Sequence, residues 1–160
     1  MSTPAAPFVL YAEDDENDVF FMERAFSRLK LRSALRIVLN GREAVEYLAG
    51  KGAYADRTAY PLPDLLLLDV KMPVMSGLEV LEWARAQPDF AQLPIVLFTS
   101  STQRSDIEFG RAYGASAYLV KPSNAEQLTV LVGKILATCA ARPAIGGERF
   151  AIEGDQLHAL

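Results

Sequence analysis

The chain has 160 residues, 51% hydrophobic and 22% charged, an ordinary globular composition with length for one domain and a sizeable core. Sixteen basic against twenty acidic residues leave a formal net charge of −4 with no dense Lys/Arg run, which argues against nucleic acid as a direct partner. The single cysteine, Cys139, and single histidine, His158, give neither an internal disulfide nor metal-ligand spacing, and no apolar run approaches the ~20 residues that span a bilayer.

The N-terminus, "MSTPAAPFVLYAEDD", has no basic segment and turns acidic after a short apolar run, so it is not a secretory signal and the expected location is the cytoplasm. The first strand is "FVLYA" (8–12). Val19, Met22, Phe26 and Leu29 follow at 3-4-3 spacing, which puts them on one face of a first helix. A second strand, "LRIVL" (35–39), leads to a short helix with Ala44, Val45 and Leu48, ending at Gly50. Residues 50–63 are rich in Gly, Tyr and Pro and read as a loop without assignable structure. The third strand, "DLLLL" (64–68), precedes a helix carrying Leu78, Leu81 and Ala84. The fourth, "PIVLF" (94–98), precedes a helix over 103–113 whose pattern is poor and interrupted by Gly110. The fifth, "AYLV" (117–120), precedes a helix with Leu128, Leu131, Val132, Ile135 and Leu136 on one stripe.

Nearly continuous apolar strands alternating with helices predict an α/β fold: a doubly wound, five-stranded parallel sheet covered on both faces, with right-handed crossovers. From about Ala141 the pattern breaks at Pro143 and "IGG", so residues 1–140 are expected to form the domain and 141–160 a tail, too short for an output domain, that is either unstructured or adds a short element.

In such a sheet ligands bind beyond the carboxyl ends of the strands, where strand order reverses. The first strand ends in Glu13, Asp14 and Asp15, the third in Asp69, the fourth in Thr99-Ser100-Ser101 and the fifth in Lys121-Pro122. In order 2-1-3-4-5 the carboxylates of the first and third strands converge. Clustered carboxylates repel unless one is protonated or a cation intervenes, and Mg²⁺ suits an all-oxygen set that leaves room for phosphate oxygens. A metal-bound phosphoryl group also accounts for a lysine and a threonine aimed at the cluster. On this reading Asp69 is a nucleophile toward phosphorus, Lys121 neutralises developing charge and Thr99 donates a hydrogen bond.

The segments "VLYAEDDENDVFF", "PDLLLLDVKMPVMSGLEVL", "LPIVLFTSS" and "GASAYLVKPSNAEQL" resemble, in order, those of the response-regulator receiver family of two-component signalling, from about Phe8 to Ala140. The resemblance implies a CheY-like, flavodoxin-like fold with order 2-1-3-4-5. It implies Glu13 and Asp14 as the acid pair, Asp69 as phosphoacceptor, Thr99 and Tyr118 as switch residues, Lys121 as the phosphate-binding lysine and the backbone carbonyl of Lys71 as a metal ligand, with Mg²⁺ as the ion. The pair is Glu-Asp where many receivers have Asp-Asp. The Lys121–Pro122 bond is expected to be cis, as in the family. The implied partner is a sensor histidine kinase or histidine phosphotransfer protein; the 50–63 loop and short chain resemble receivers that serve phytochrome-type kinases. The surface of fourth helix, fifth strand and fifth helix is where such domains bind partners or form homodimers.

Singly, Asp69 reads equally well as a turn acid, Glu13 to Asp15 as a helix cap, and Lys121 as a solvated lysine. Jointly, at successive strand ends, they do not. A receiver-like interaction module that works without phosphorylation would lack acceptor, metal or lysine residues, and all are present. An aspartate-nucleophile phosphatase wants a second Asp where Lys71 stands, and no glycine-rich nucleotide motif follows any strand.

Overall fold

A computed structural model describes residues 6–141, 150–153 and 156–159. Five parallel strands form in the expected order: β1 (Val9–Ala12), β2 (Leu35–Val38), β3 (Leu65–Leu68), β4 (Ile95–Thr99) and β5 (Ala117–Val120), arranged β2-β1-β3-β4-β5. The helices between and after them are α1 (Glu16–Arg28), α2 (Gly41–Ala49), α3 (Gly77–Ala86), α4 (Arg104–Ala112) and α5 (Ala125–Ala141).

The four leucines of β3 are buried because the sheet is covered on both faces. Leu65 and Leu67 join Val9, Tyr11, Met22, Phe26 and the α5 stripe on one side, whereas Leu66 and Leu68 join Leu10, Tyr47, Val80, Leu81 and Leu97 on the other. Each such side chain contributes about 1.5–3 kcal/mol. This two-sided burial explains a run without the alternation of a half-exposed strand.

The weak pattern of α4 has a packing cause. Gly110 is its one buried residue, and a Cβ there would come within 2.6 Å of Leu97 Cδ1. The glycine that seems to interrupt the helix is the point at which it approaches β4.

Residues 50–63, read from the sequence as a loop of uncertain structure, are tied down. Gly50 (φ 67°) ends α2, and Arg57 caps that end by donating to the carbonyls of Tyr47 (2.8 Å), Leu48 (2.6 Å) and Tyr60 (3.3 Å). Tyr47 packs against Tyr54 and Tyr60, and its hydroxyl donates to the carbonyl of Pro61 (2.8 Å).

The C-terminal segment adds structure. Strand β6 (Phe150–Glu153) pairs parallel with β5, Leu119 opposite Ile152, and β7 (Gln156–Ala159) closes an antiparallel hairpin with it. The five-stranded sheet is thereby extended to seven strands in the order β2-β1-β3-β4-β5-β6-β7. Pro143 and "IGG" lie outside the described residues. Among the described residues no helix is long and apolar enough to cross a membrane.

Candidate functional site

Four strand ends assemble the site, and their ladders continue past the last strand residues. The amide of Glu13 donates to Val38 O (3.0 Å), that of Asp69 to Ala12 O (3.1 Å) and that of Lys121 to Thr99 O (2.8 Å). These bonds fix the backbone from which each functional side chain departs. Strand alternation puts Tyr11, Glu13, Asp69 and Lys121 on the α1/α5 side, as i and i+2 positions share a face.

Lys121 is the hub. Its Nζ lies 2.7 Å from Glu13 Oε2, 2.8 Å from Asp18 Oδ2 and 3.2 Å from Asp69 Oδ2. Glu13 is fully buried and Asp69 is 7% exposed. Tyr11, also fully buried, donates its hydroxyl to the same Glu13 Oε2 (3.1 Å), and the amide of Asp15 donates to Oε1 (3.0 Å). Burial pushes the Glu13 carboxyl up to about 7; the Lys121 ammonium draws it down, and the Asp69 charge adds to the rise. Burial works against the Lys121 ammonium, but its bonds to Asp18 and Glu13 and the charge of Asp69 outweigh it, so this group titrates above the ordinary lysine value.

Asp14, exposed, completes a group with Glu13 and Asp69 in which one carboxylate oxygen from each lies within 4.8 Å of the others. Counting Asp18, four carboxylates face one ammonium, an excess of three negative charges when all are ionised. All-oxygen, carboxylate-rich donors with unbalanced charge fit a hard divalent cation, so Glu13, Asp14 and Asp69 form a cluster able to hold a metal ion.

Asp15 does something else. It is the N-cap of α1, its Oδ1 accepting from the amides of Asn17 (2.8 Å) and Asp18 (3.1 Å). Thr99 is buried at the end of β4, its hydroxyl accepting from the Ser101 amide (3.2 Å). Tyr118 is buried rather than solvent-facing, and its hydroxyl donates to the Ser101 carbonyl (2.8 Å), so both side chains hold the β4–α4 turn. The Lys71 side chain is exposed, two residues beyond Asp69.

No peptide bond among the described residues is cis, so Lys121–Pro122 is trans, contrary to expectation. The ammonium points inward regardless, because the Lys121 amide continues the β5 ladder and three carboxylates draw the side chain in.

Two residues escaped the sequence reading. Asp18 reads as a first-turn helix acid, yet once Asp15 is recognised as the cap, Asp18 falls on the turn that faces back toward the strand ends. Tyr11 reads as a core aromatic, although its position two before Glu13 on a strand places it on the same face.

The model of the response regulator receiver domain family matches residues 9–133. Over 124 residues, 78% of this chain and 82% of the relative, the sequence is 28% identical to the response regulator Rcp1 of Synechocystis sp.. A structure of Rcp1 in its Mn(2+)-bound form aligns with TM-score 0.73 at 26% identity, covering 88% of this chain and 99% of that one. The phosphorylated cyanobacterial phytochrome response regulator RcpA aligns with TM-score 0.77 at 28% identity over 86% of this chain and 96% of that one. The bacteriophytochrome response regulator RtBRR aligns with TM-score 0.70 at 32% identity, over 91% and 84%. With the expected strand order and acids gathered at the strand ends, these matches lead to one conclusion: the chain belongs to the response regulator receiver domain family and is a response regulator of two-component signalling.

Proposed function

We propose that Asp69 is the phosphoacceptor, taking a phosphoryl group from a phosphohistidine of a sensor histidine kinase or histidine phosphotransfer protein. The observation that carries this is the convergence of Asp69, Lys121 and the Glu13/Asp14 pair at the ends of β3, β5 and β1. An Asp69 oxygen forms a bond to phosphorus as the P–N bond breaks, and the imidazole leaves with the electron pair; the ionised carboxylate needs no general base.

Glu13, Asp14 and Asp69, with the carbonyl of Lys71, would hold Mg²⁺, which supplies charge neutralisation to the phosphoryl oxygens. Lys121, already within 3.2 Å of Asp69, turns its ammonium to the same oxygens, and Thr99 donates its hydroxyl. Recruiting Thr99 releases its bond from the Ser101 amide, and Tyr118 is tied to the Ser101 carbonyl, so the β4–α4 turn is the element biased between two arrangements.

The names of RcpA and RtBRR support a phytochrome-type kinase as partner. In the same proposal residues 1–140 form a cytoplasmic receiver unit, 141–160 an appended segment, and the outer faces of α4 and α5, with exposed Val130, the surface for a downstream protein or a second copy. Intact-mass spectrometry after incubation with acetyl phosphate tests the chemistry. One phosphoryl adduct that requires both Mg²⁺ and Asp69, and is absent from Asp69→Asn, is the expected result. No adduct on a folded native chain overturns the proposal in favour of a phosphorylation-independent interaction module.

A further inference from the structure

To serve as a metal ligand at this place Glu13 has more to fix than an aspartate would. It is one methylene longer than Asp, so its carboxylate has an additional torsion to fix, and it sits fully buried at a strand end. Its Oε1 is held by the Asp15 amide, while its Oε2 takes both the Lys121 ammonium at 2.7 Å and the Tyr11 hydroxyl at 3.1 Å. On the reading proposed above, a divalent cation held by Glu13, Asp14 and Asp69 would compete with the Lys121 ammonium for Glu13. Where the cation displaces the ammonium, the Tyr11 hydroxyl is the side-chain donor that remains on Glu13.

We infer that Tyr11 is a positioning residue for the metal site: its hydroxyl fixes the Glu13 carboxylate so that a divalent cation meets an oriented ligand rather than a mobile one. Two observations place it there. The ring is fully buried and anchored against Phe98, 6.2 Å between centroids, so the hydroxyl cannot swing away. Tyr11 and Glu13 share one face of β1 and its extension, two residues apart. Donors that orient a ligating carboxylate typically account for about 10- to 100-fold in metal affinity.

The inference depends on the Mg²⁺ site of the proposed function, and the test separates the two. Mg²⁺ affinity of the unphosphorylated full chain is measured by isothermal titration calorimetry for the native protein, Tyr11→Phe and Tyr11→Met, each checked by thermal melting. The same Tyr11→Phe change is also made in a Glu13→Asp background, where the shorter side chain draws the carboxylate out of reach of the hydroxyl. The expected result is about a tenfold or greater loss of affinity in whichever hydroxyl-free variant folds, and little effect of Tyr11→Phe beside Asp at position 13. Phosphorylation by acetyl phosphate should then need more Mg²⁺ for half-maximal rate while keeping its rate at saturating Mg²⁺.

Affinity unchanged without the hydroxyl, or lost equally in both backgrounds, overturns the role of Tyr11 and leaves the proposed function standing. A native chain that binds no Mg²⁺ overturns both.

Discussion

Lys121 and Glu13, 108 residues apart in the chain, are joined by a 2.7 Å ion pair at the strand ends, and the same ammonium also holds Asp18 and Asp69. Two of the three acids it holds belong to the cluster able to bind a metal, so lysine and metal compete for the same oxygens.

Replacing Lys121 by Met therefore leaves buried acids facing one another. In metal-free buffer at neutral pH the variant should lose about 3 kcal/mol, at the low end for breaking a buried ion pair because Asp18 is partly exposed. Mg²⁺ should bind more tightly to this variant than to the native chain and restore much of the loss. Urea unfolding with EDTA and with Mg²⁺ reads both; equal stability of variant and native chain in EDTA would count against the network.

The raised Glu13 carboxyl gives a pH signature. Unfolded, it titrates near 4.5; folded, near 7, so the folded state binds the extra proton between those values. The contribution of this group to stability is complete below about 4.5 and is lost as pH rises through about 7. Glu13→Gln removes that slope. Melting curves from pH 4.5 to 8 without metal should show native and variant diverging across this window, and parallel curves would contradict the shift.

Gly77 and Gly133 should respond oppositely to alanine. A Cβ at Gly77 would lie 2.1 Å from the Asp69 carbonyl oxygen, so Gly77→Ala displaces the backbone that carries the acceptor. It should cost about 1–3 kcal/mol and slow phosphorylation by acetyl phosphate. At Gly133, within α5, the nearest atom is Leu29 Cδ2 at 4.0 Å, so alanine should stabilise by up to about 1 kcal/mol through helix propensity and leave phosphorylation alone. Thermal melts beside phosphorylation rates distinguish the two sites.

Arg57 is the tie that orders residues 50–63. Arg57→Ala removes the guanidinium from the end of α2 and should cost about 2 kcal/mol, the scale of a charged hydrogen bond, while the Tyr47 carbonyl keeps its bond from the Gly50 amide. Limited proteolysis should cut the variant between Gly50 and Pro63 and spare the native chain. Resistance equal to native would show that the tyrosine cluster suffices.

The sheet is legible in the sequence because its central strands β1, β3 and β4 are apolar runs buried on two faces, which leaves little room for another assignment. The site follows from it, since strand order sets Asp69 at the end of β3 beside Glu13 at the end of β1, and the long Lys121 side chain reaches both from the end of β5. What escapes has a common physical cause: the decisive contact is a single long-range one. The Gly50–Pro63 loop depends on one arginine reaching three carbonyls, α4 on one glycine against Leu97, and the network on Asp18 and Tyr11, which serve local structure as well. Of the C-terminal strands, β6 pairs with β5 across the whole of α5, a register without any local periodic trace.

The β6–β7 hairpin changes where the protein presents unpaired backbone. With β6 alongside, β5 has a hydrogen-bonded neighbour on each flank, and the rims of the sheet become β2 and β7, neither of which carries a site residue. A foreign strand seeking a template meets one of those rims. The strand that ends in Lys121 is thus insulated from edge-to-edge pairing, and what happens at Asp69 has to be read through helices and loops.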